Sequence, residues 1–142
     1  MEIKFSIKSQ IDKTVEEVYN AVIDPDVLST YFTTESSGPL EIGEIVLWKW
    51  GSEETEIKVI EAEQDRTITF RWEAYNVNYE TLVEIDFQGK DGNTVVTITE
   101  SGWHVDQEGL NSSYGLCSGW QHMLSCMKAR LEFNIDLRPT YN

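Results

Sequence analysis

The sequence predicts an α+β fold: an antiparallel β-sheet with two short helices near its start and one long C-terminal helix as its cover. Three observations predict it. Between Leu40 and Ser101, apolar and polar residues alternate with period two in five runs separated by turn residues. One strand-like stretch and two short helical stretches precede those runs. After Gly102, apolar residues from Leu116 to Ile135 recur at helical spacing.

Ile3, Phe5 and Ile7 alternate with Lys4, Ser6 and Lys8, which is a half-buried first strand. Thr14-Val15-Glu16-Glu17 carries a capping box, a hydroxyl and a carboxylate that satisfy the free N–H groups of a helix start. Val15, Val18, Tyr19, Val22 and Ile23 then keep the helical period until Asp24-Pro25 stops it. Pro25 can open a second short helix carrying Val27, Leu28, Tyr31 and Phe32. Strands are expected near 42–50, 55–63, 66–74, 78–88 and 93–101, with turns at Gly51-Ser52, Gln64-Asp65, Tyr75-Asn76 and Gly89 to Asn93. Ile68, Phe70 and Trp72 share one face. Tyr79, Thr81, Val83, Ile85 and Phe87 form a second inward row, and Val96, Ile98 and Glu100 continue it in the last strand. The run 42–50 is ambiguous: Ile45 and Leu47 hold one parity, Val46, Trp48 and Trp50 the other, so a tryptophan pair can fall on the outside of the sheet or at an edge. In the last helix Leu116, Trp120, Met123, Leu124, Met127, Leu131 and Ile135 make one stripe, and the helix is expected to end before Pro139. A sheet with one apolar face needs a cover, and this helix is the only element large enough.

The chain has 142 residues, which suits one domain over 1–142. Its 11 Lys+Arg against 25 Asp+Glu give a net charge of −14. Nucleic-acid binding needs clustered cations to displace counterions, and an anionic membrane would repel this chain, so neither is an expected partner. The densest acidic stretch, Glu53, Glu54, Glu56, Glu61, Glu63 and Asp65, reads as a solvated strand face and turns. The alternating start is no signal peptide, and no run reaches the roughly 18 apolar residues of a membrane span, so a cytoplasmic location is expected and the Asn111-Ser112-Ser113 sequon unused. Cys117 and Cys126 stand nine residues apart on one helix, about 13.5 Å of rise, too far to pair. They read as free thiols of a reducing compartment.

Few residues carry a chemical signature. Gly115-Leu116-Cys117-Ser118-Gly119 has the spacing of a nucleophile elbow, but Asn111 to Tyr114 is no buried strand, and a helix N-terminus with two glycines is the plainer reading. Gly115 and Gly119, one turn apart, let sheet, loop or ligand approach the helix backbone. His122 and Cys126 have an i, i+4 metal-ligand spacing, yet His104 has no fixed relation to them and His122 is expected to face solvent, so no metal is expected. Glu100 shares a face with Val96 and Ile98. The favoured reading puts it at the strand end, in water. The alternative turns it inward, where burial raises a carboxyl pKa and makes an acid or base. No dinucleotide, P-loop or calcium pattern occurs, so no cofactor is expected.

The order of elements resembles the helix-grip fold of the START-like (SRPBCC, Bet v-type) superfamily. Val15-Glu16-Glu17-Val18-Tyr19 followed by Asp24-Pro25 and Tyr31-Phe32, then Ile42-Gly43, Ile68-Thr69-Phe70-Arg71-Trp72, Ser101-Gly102-Trp103, Gly119-Trp120, and Leu124, Lys128 and Leu131-Glu132 are similar to the branch named after the activator of 90-kDa heat-shock protein ATPase homologues. The resemblance implies a curved sheet and a cavity between it and the long helix, which members use to bind lipids, hormones or polyketides and occasionally to cyclise them. Others are chaperone-associated modules.

The leading expectation is therefore a non-enzymatic protein that binds a small hydrophobic or aromatic ligand in that cavity. Its expected lining is Ile68, Phe70, Trp72, Val83, Ile98, Leu116, Trp120, Met123 and Met127, with Tyr31 and Phe32 near the mouth. Tyr79, Thr81 and Glu100 are the polar groups that could orient the ligand. Two alternatives stand beside it: an interaction module stimulating a heat-shock protein ATPase, and a polyketide cyclase/dehydratase-like enzyme using Glu100 or Tyr79. A homodimer stays open.

Overall fold

In the computed structural model, which describes residues 1–138, the chain runs β1 (Lys4–Ile11), α1 (Val15–Ile23), α2 (Pro25–Leu28), β2 (Glu35–Ser36), β3 (Ile45–Trp50), β4 (Glu53–Glu63), β5 (Thr67–Glu73), β6 (Glu80–Lys90), β7 (Asn93–Ser101) and α3 (Gln107–Phe133). Seven strands form one curved antiparallel sheet in the order β1-β7-β6-β5-β4-β3-β2. The two-residue β2 has no sequence signature, and it pairs Glu35 and Ser36 with Lys49 and Trp48.

Helix ends follow the capping chemistry. Thr14 Oγ1 accepts the Glu17 N–H at 3.3 Å, the N-cap half of a capping box, and its hydroxyl donates to the Glu17 carboxylate at 3.4 Å in place of the reciprocal bond from the Thr14 N–H. Asp24 closes α1 and also caps α2, accepting the Asp26 N–H at 2.9 Å with Pro25 as the first helical residue. α3 begins well before Gly115: Asp106 caps it by accepting the Gly109 N–H at 2.7 Å. Asn111 to Tyr114 are therefore helical, and Gly115 and Gly119 lie mid-helix, which corrects the reading of them as a helix start. A Cβ at Gly109 would sit 2.1 Å from the His104 carbonyl oxygen, so the first turn of α3 requires glycine there. Asn134, left-handed at φ 57, returns its N–H to Ala129 and Arg130 and ends the helix. Ile135 thus leaves the stripe and is 52% exposed. Pro139, the expected stop, lies outside the described residues.

The β6–β7 turn is tighter than the expected five-residue loop. Asp91 and Gly92 both have positive φ, 53° and 83°, which makes a two-residue type I′ hairpin and lets β6 run to Lys90. β3 starts at Ile45, three residues after the expected edge, because Ile42-Gly43 forms a turn with Gly43 at φ 83. Its ambiguous parity resolves toward the tryptophans. Val46 and Trp48 are buried and Trp50 half-buried, while Ile45 is 60% exposed.

The inward rows meet α3 in one apolar core. Ile68, Phe70, Val83, Ile85, Val96 and Ile98 are fully buried beneath Met123, Leu124 and Met127. Lys128 Nζ donates to the Gln10 carbonyl at 2.7 Å, and the Asp12 N–H donates to Glu132 at 3.0 Å, which ties the end of α3 to the end of β1. At the other end, Trp103 Nε1 donates to Ser112 Oγ at 3.0 Å. No helix among the described residues is long and apolar enough to cross a membrane.

Candidate ligand-binding cleft

The sheet divides at one end. The β4–β5 ladder runs from Glu63↔Thr67 to Lys58↔Arg71 and stops, with a bulge between Val59 and Glu61. β4 nevertheless continues beside β3 as far as Trp50↔Glu53, and β5 continues beside β6 as far as Glu73↔Glu80. Where the two halves part, a cleft of about 830 Å³ reaches the N-terminal half of α3. That volume lies in the range of small-molecule sites.

Aromatic rings from three elements wall the cleft: Phe32 after α2, Trp50 and Trp72 from the sheet, and Trp120 from α3. Trp72 and Trp120 lie 5.3 Å apart at 32°, and Phe32 sits 5.7 Å from Trp120 and 5.2 Å edge-on to Trp50. Behind them Trp48 packs edge-on to Phe32, Phe70 and Trp72. Leu116 and Gly119 supply the helix side.

Gly119 is telling. A mid-helix glycine costs up to about 1 kcal/mol against alanine, yet a Cβ built there meets nothing within 4 Å. No neighbouring chain needs the room; Gly119 lies on the rim shared by the cleft and a second depression beside it. Gly115 has a different use, because a Cβ there would press the Tyr75 ring at 3.2 Å, and Tyr75 is the cleft wall supplied by the β5–β6 turn.

Glu100 is fully buried, which corrects the expectation that it reaches water. Its Oε1 accepts from Trp120 Nε1 at 2.8 Å, and its Oε2 accepts from Trp72 Nε1 at 3.0 Å and from Thr81 Oγ1 at 2.7 Å. Desolvation by burial raises the Glu100 pKa, and the three hydrogen bonds from Trp72, Thr81 and Trp120 pull it part of the way back. One carboxyl group therefore holds two of the three indoles of the cleft, Trp72 and Trp120, by their only polar atoms. Thr81, read as a group that could orient a ligand, is spent on this bond.

The other sequence candidates scatter. Trp72, Leu116, Trp120 and Phe32 line the cleft. Ile68, Phe70, Val83, Ile98 and Met127 are buried in the core and do not border it, and Met123 borders the second depression on the far side of Phe32 and Gly119. Tyr31 is also away from the mouth: it is 1% exposed, its hydroxyl donates to the Ala21 carbonyl at 2.8 Å, and burial pushes its pKa up. Tyr79 leaves the inward row because β6 begins only at Glu80. Its ring stacks on His104 at 3.8 Å and its hydroxyl accepts the His104 N–H. His122 is half-buried beside the second depression, not solvent-facing, and Cys126 next to it is buried. Among the described residues, no three His, Cys, Asp or Glu side chains are grouped to hold a metal ion.

Sequence reading missed the mouth. Leu47, Glu53, Glu54, Thr55, Glu56 and Lys58 contribute from β3 and β4, and Glu73 and Glu80 from β5 and β6. Their charge was visible in the sequence, but the parting of β4 from β5 that gathers them has no sequence signal. Lys58 is ion-paired with Glu80.

A curved sheet gripped by one long C-terminal helix defines a helix-grip protein of the START-like class. The chain belongs to the family described as Activator of Hsp90 ATPase homolog 1-like protein, which matches residues 12–132. Among solved structures it is similar to SSP2350 of Staphylococcus saprophyticus, with 28% identity over 96% of both chains and a TM-score of 0.83. It also shares its fold with the Aha1 dimer of Colwellia psychrerythraea, at 20% identity over 92% of this chain and 97% of that one, TM-score 0.77. DynU16, a putative protein of the dynemicin biosynthetic locus, has the same fold at 23% identity and TM-score 0.82; the match covers 92% of this chain and 48% of DynU16. No curated protein matches the sequence.

Proposed function

We propose that this protein binds a small hydrophobic or aromatic ligand in the cleft between the parted halves of the sheet and α3. The observation that supports the reading is the set of aromatic faces around a large opening, with a helix glycine left empty beside it. Burying about 250 Å² of apolar surface at about 25 cal/mol per Å² supplies about 6 kcal/mol, a Kd in the tens of micromolar. The neutral fluorophore N-phenyl-1-naphthylamine is a suitable probe. Saturable fluorescence enhancement is expected with the wild type and its loss with Gly119→Phe, which places a ring in the opening while the circular dichroism spectrum stays unchanged. No saturable binding, or equal binding by Gly119→Phe, refutes the proposal.

The family description and the likeness to Aha1 favour a second reading, docking on an Hsp90-type chaperone. Its test is the chaperone's ATPase rate with and without this protein. Stimulation with complex formation supports it, and absence of both removes it.

A further inference from the structure

We infer that the ligand is an amphiphilic organic cation, with its apolar body against the indoles and its positive group at the mouth. This rests on reading the cleft as a binding site: the aromatic opening makes the site, and the groups around it set the charge of what enters.

Five carboxylates, Glu53, Glu54, Glu56, Glu73 and Glu80, stand around the cleft against one ammonium, Lys58, which is engaged by Glu80. Among the described residues, the other four form no ion pair. Glu73 and Glu80 face each other directly across β5 and β6, a like-charge pairing that costs stability; Lys58 on Glu80 offsets part of that cost and, among the described residues, leaves Glu73 with no ion pair of its own. The floor cannot compensate. The N–H groups of Trp72 and Trp120 are both spent on Glu100, so these rings offer a ligand only their electron-rich faces. Such faces attract ammonium and guanidinium groups. A carboxylate or phosphate amphiphile would meet like charge at the mouth and find the Trp72 and Trp120 donors already engaged, and the net charge of −14 repels it at longer range.

Three probes with one naphthalene body separate the possibilities: 2-naphthylmethylamine (cation), 2-naphthylmethanol (neutral) and 2-naphthoate (anion), each titrated by calorimetry. In about 20 mM salt the cation should bind about tenfold more tightly than the alcohol, and the alcohol more tightly than the anion. In about 1 M salt the cation's advantage should fall to about twofold or less. The triple variant Glu53→Gln/Glu56→Gln/Glu73→Gln should likewise erase the ratio of cation to alcohol affinity. Alcohol binding with no preference for the cation, or a preference that survives in the triple variant, overturns the inference while leaving the cleft a binding site. Failure of all three probes overturns the cleft reading itself.

Discussion

Replacing Glu100 by glutamine tests what holds the walls of the cleft. The carboxylate accepts three hydrogen bonds, one on Oε1 and two on Oε2. Glutamine keeps one acceptor oxygen and turns an NH₂ toward the others. Both indoles can only donate, so the better rotamer still sets donor against donor at one buried tryptophan. Losing a charge-assisted bond in a buried site costs about 1.5–3 kcal/mol. Removing a desolvated charge returns part of that, leaving a net loss of about 1–2 kcal/mol at neutral pH, or roughly 3–8 °C in Tm for a chain of this size. The pH dependence has a definite sign. Burial raises the Glu100 pKa above its ordinary 4.5, so the folded protein holds this proton to higher pH than the unfolded chain. The stability it contributes is fully present below about 4.5 and is lost as pH rises through the folded pKa. Glutamine does not titrate, so the deficit of the variant should shrink over that rise. Urea unfolding followed by tryptophan fluorescence across a pH series measures both effects. Glu100→Gln with unchanged stability and an unchanged tryptophan spectrum would refute the claim that this carboxyl group positions Trp72 and Trp120. A deficit that grows with pH would refute the dominance of desolvation.

Gly119→Ala should stabilise the fold by up to about 1 kcal/mol, because the added methyl improves helix propensity and meets no neighbour; thermal unfolding would show a higher Tm, and a fall would mean that the space is occupied. Gly109→Ala should do the opposite and cost about 1–3 kcal/mol or more, since its methyl collides with the His104 carbonyl; a variant as stable as wild type in urea would contradict the geometry of the first turn of α3. Toward an aqueous thiol reagent, half-buried Cys117 should react first, and Cys126, buried and with its pKa raised by desolvation, only on unfolding. Equal rates in the folded protein would count against that burial.

The architecture was legible because its signals are local. Alternation over Ile68, Phe70 and Trp72, the capping box at Thr14 and the stripe from Leu116 to Leu131 each report which side of one element is apolar. Element ends that depend on a single backbone conformation were read less well, as at Asn134, whose left-handed cap stops α3 well short of the expected proline. The cleft was half legible. Trp72, Leu116 and Trp120 follow from facing periodicities. Glu53, Glu56, Glu73 and Tyr75 do not, because they converge only where β4 departs from β5, a non-local event. Glu100 shows the same limit. Its position near the end of β7 suggested water, and only the folded neighbours, two indoles and a hydroxyl, make burial of a carboxyl group affordable.

The most direct test of the cleft is an NMR titration of the five tryptophan indole N–H resonances with 2-naphthylmethylamine. Resonances of Trp50, Trp72 and Trp120 should shift progressively and saturate together, while that of Trp103, bonded to Ser112 and no part of the cleft wall, should stay still. Stationary signals from those three, or a shift confined to Trp103, would contradict the account.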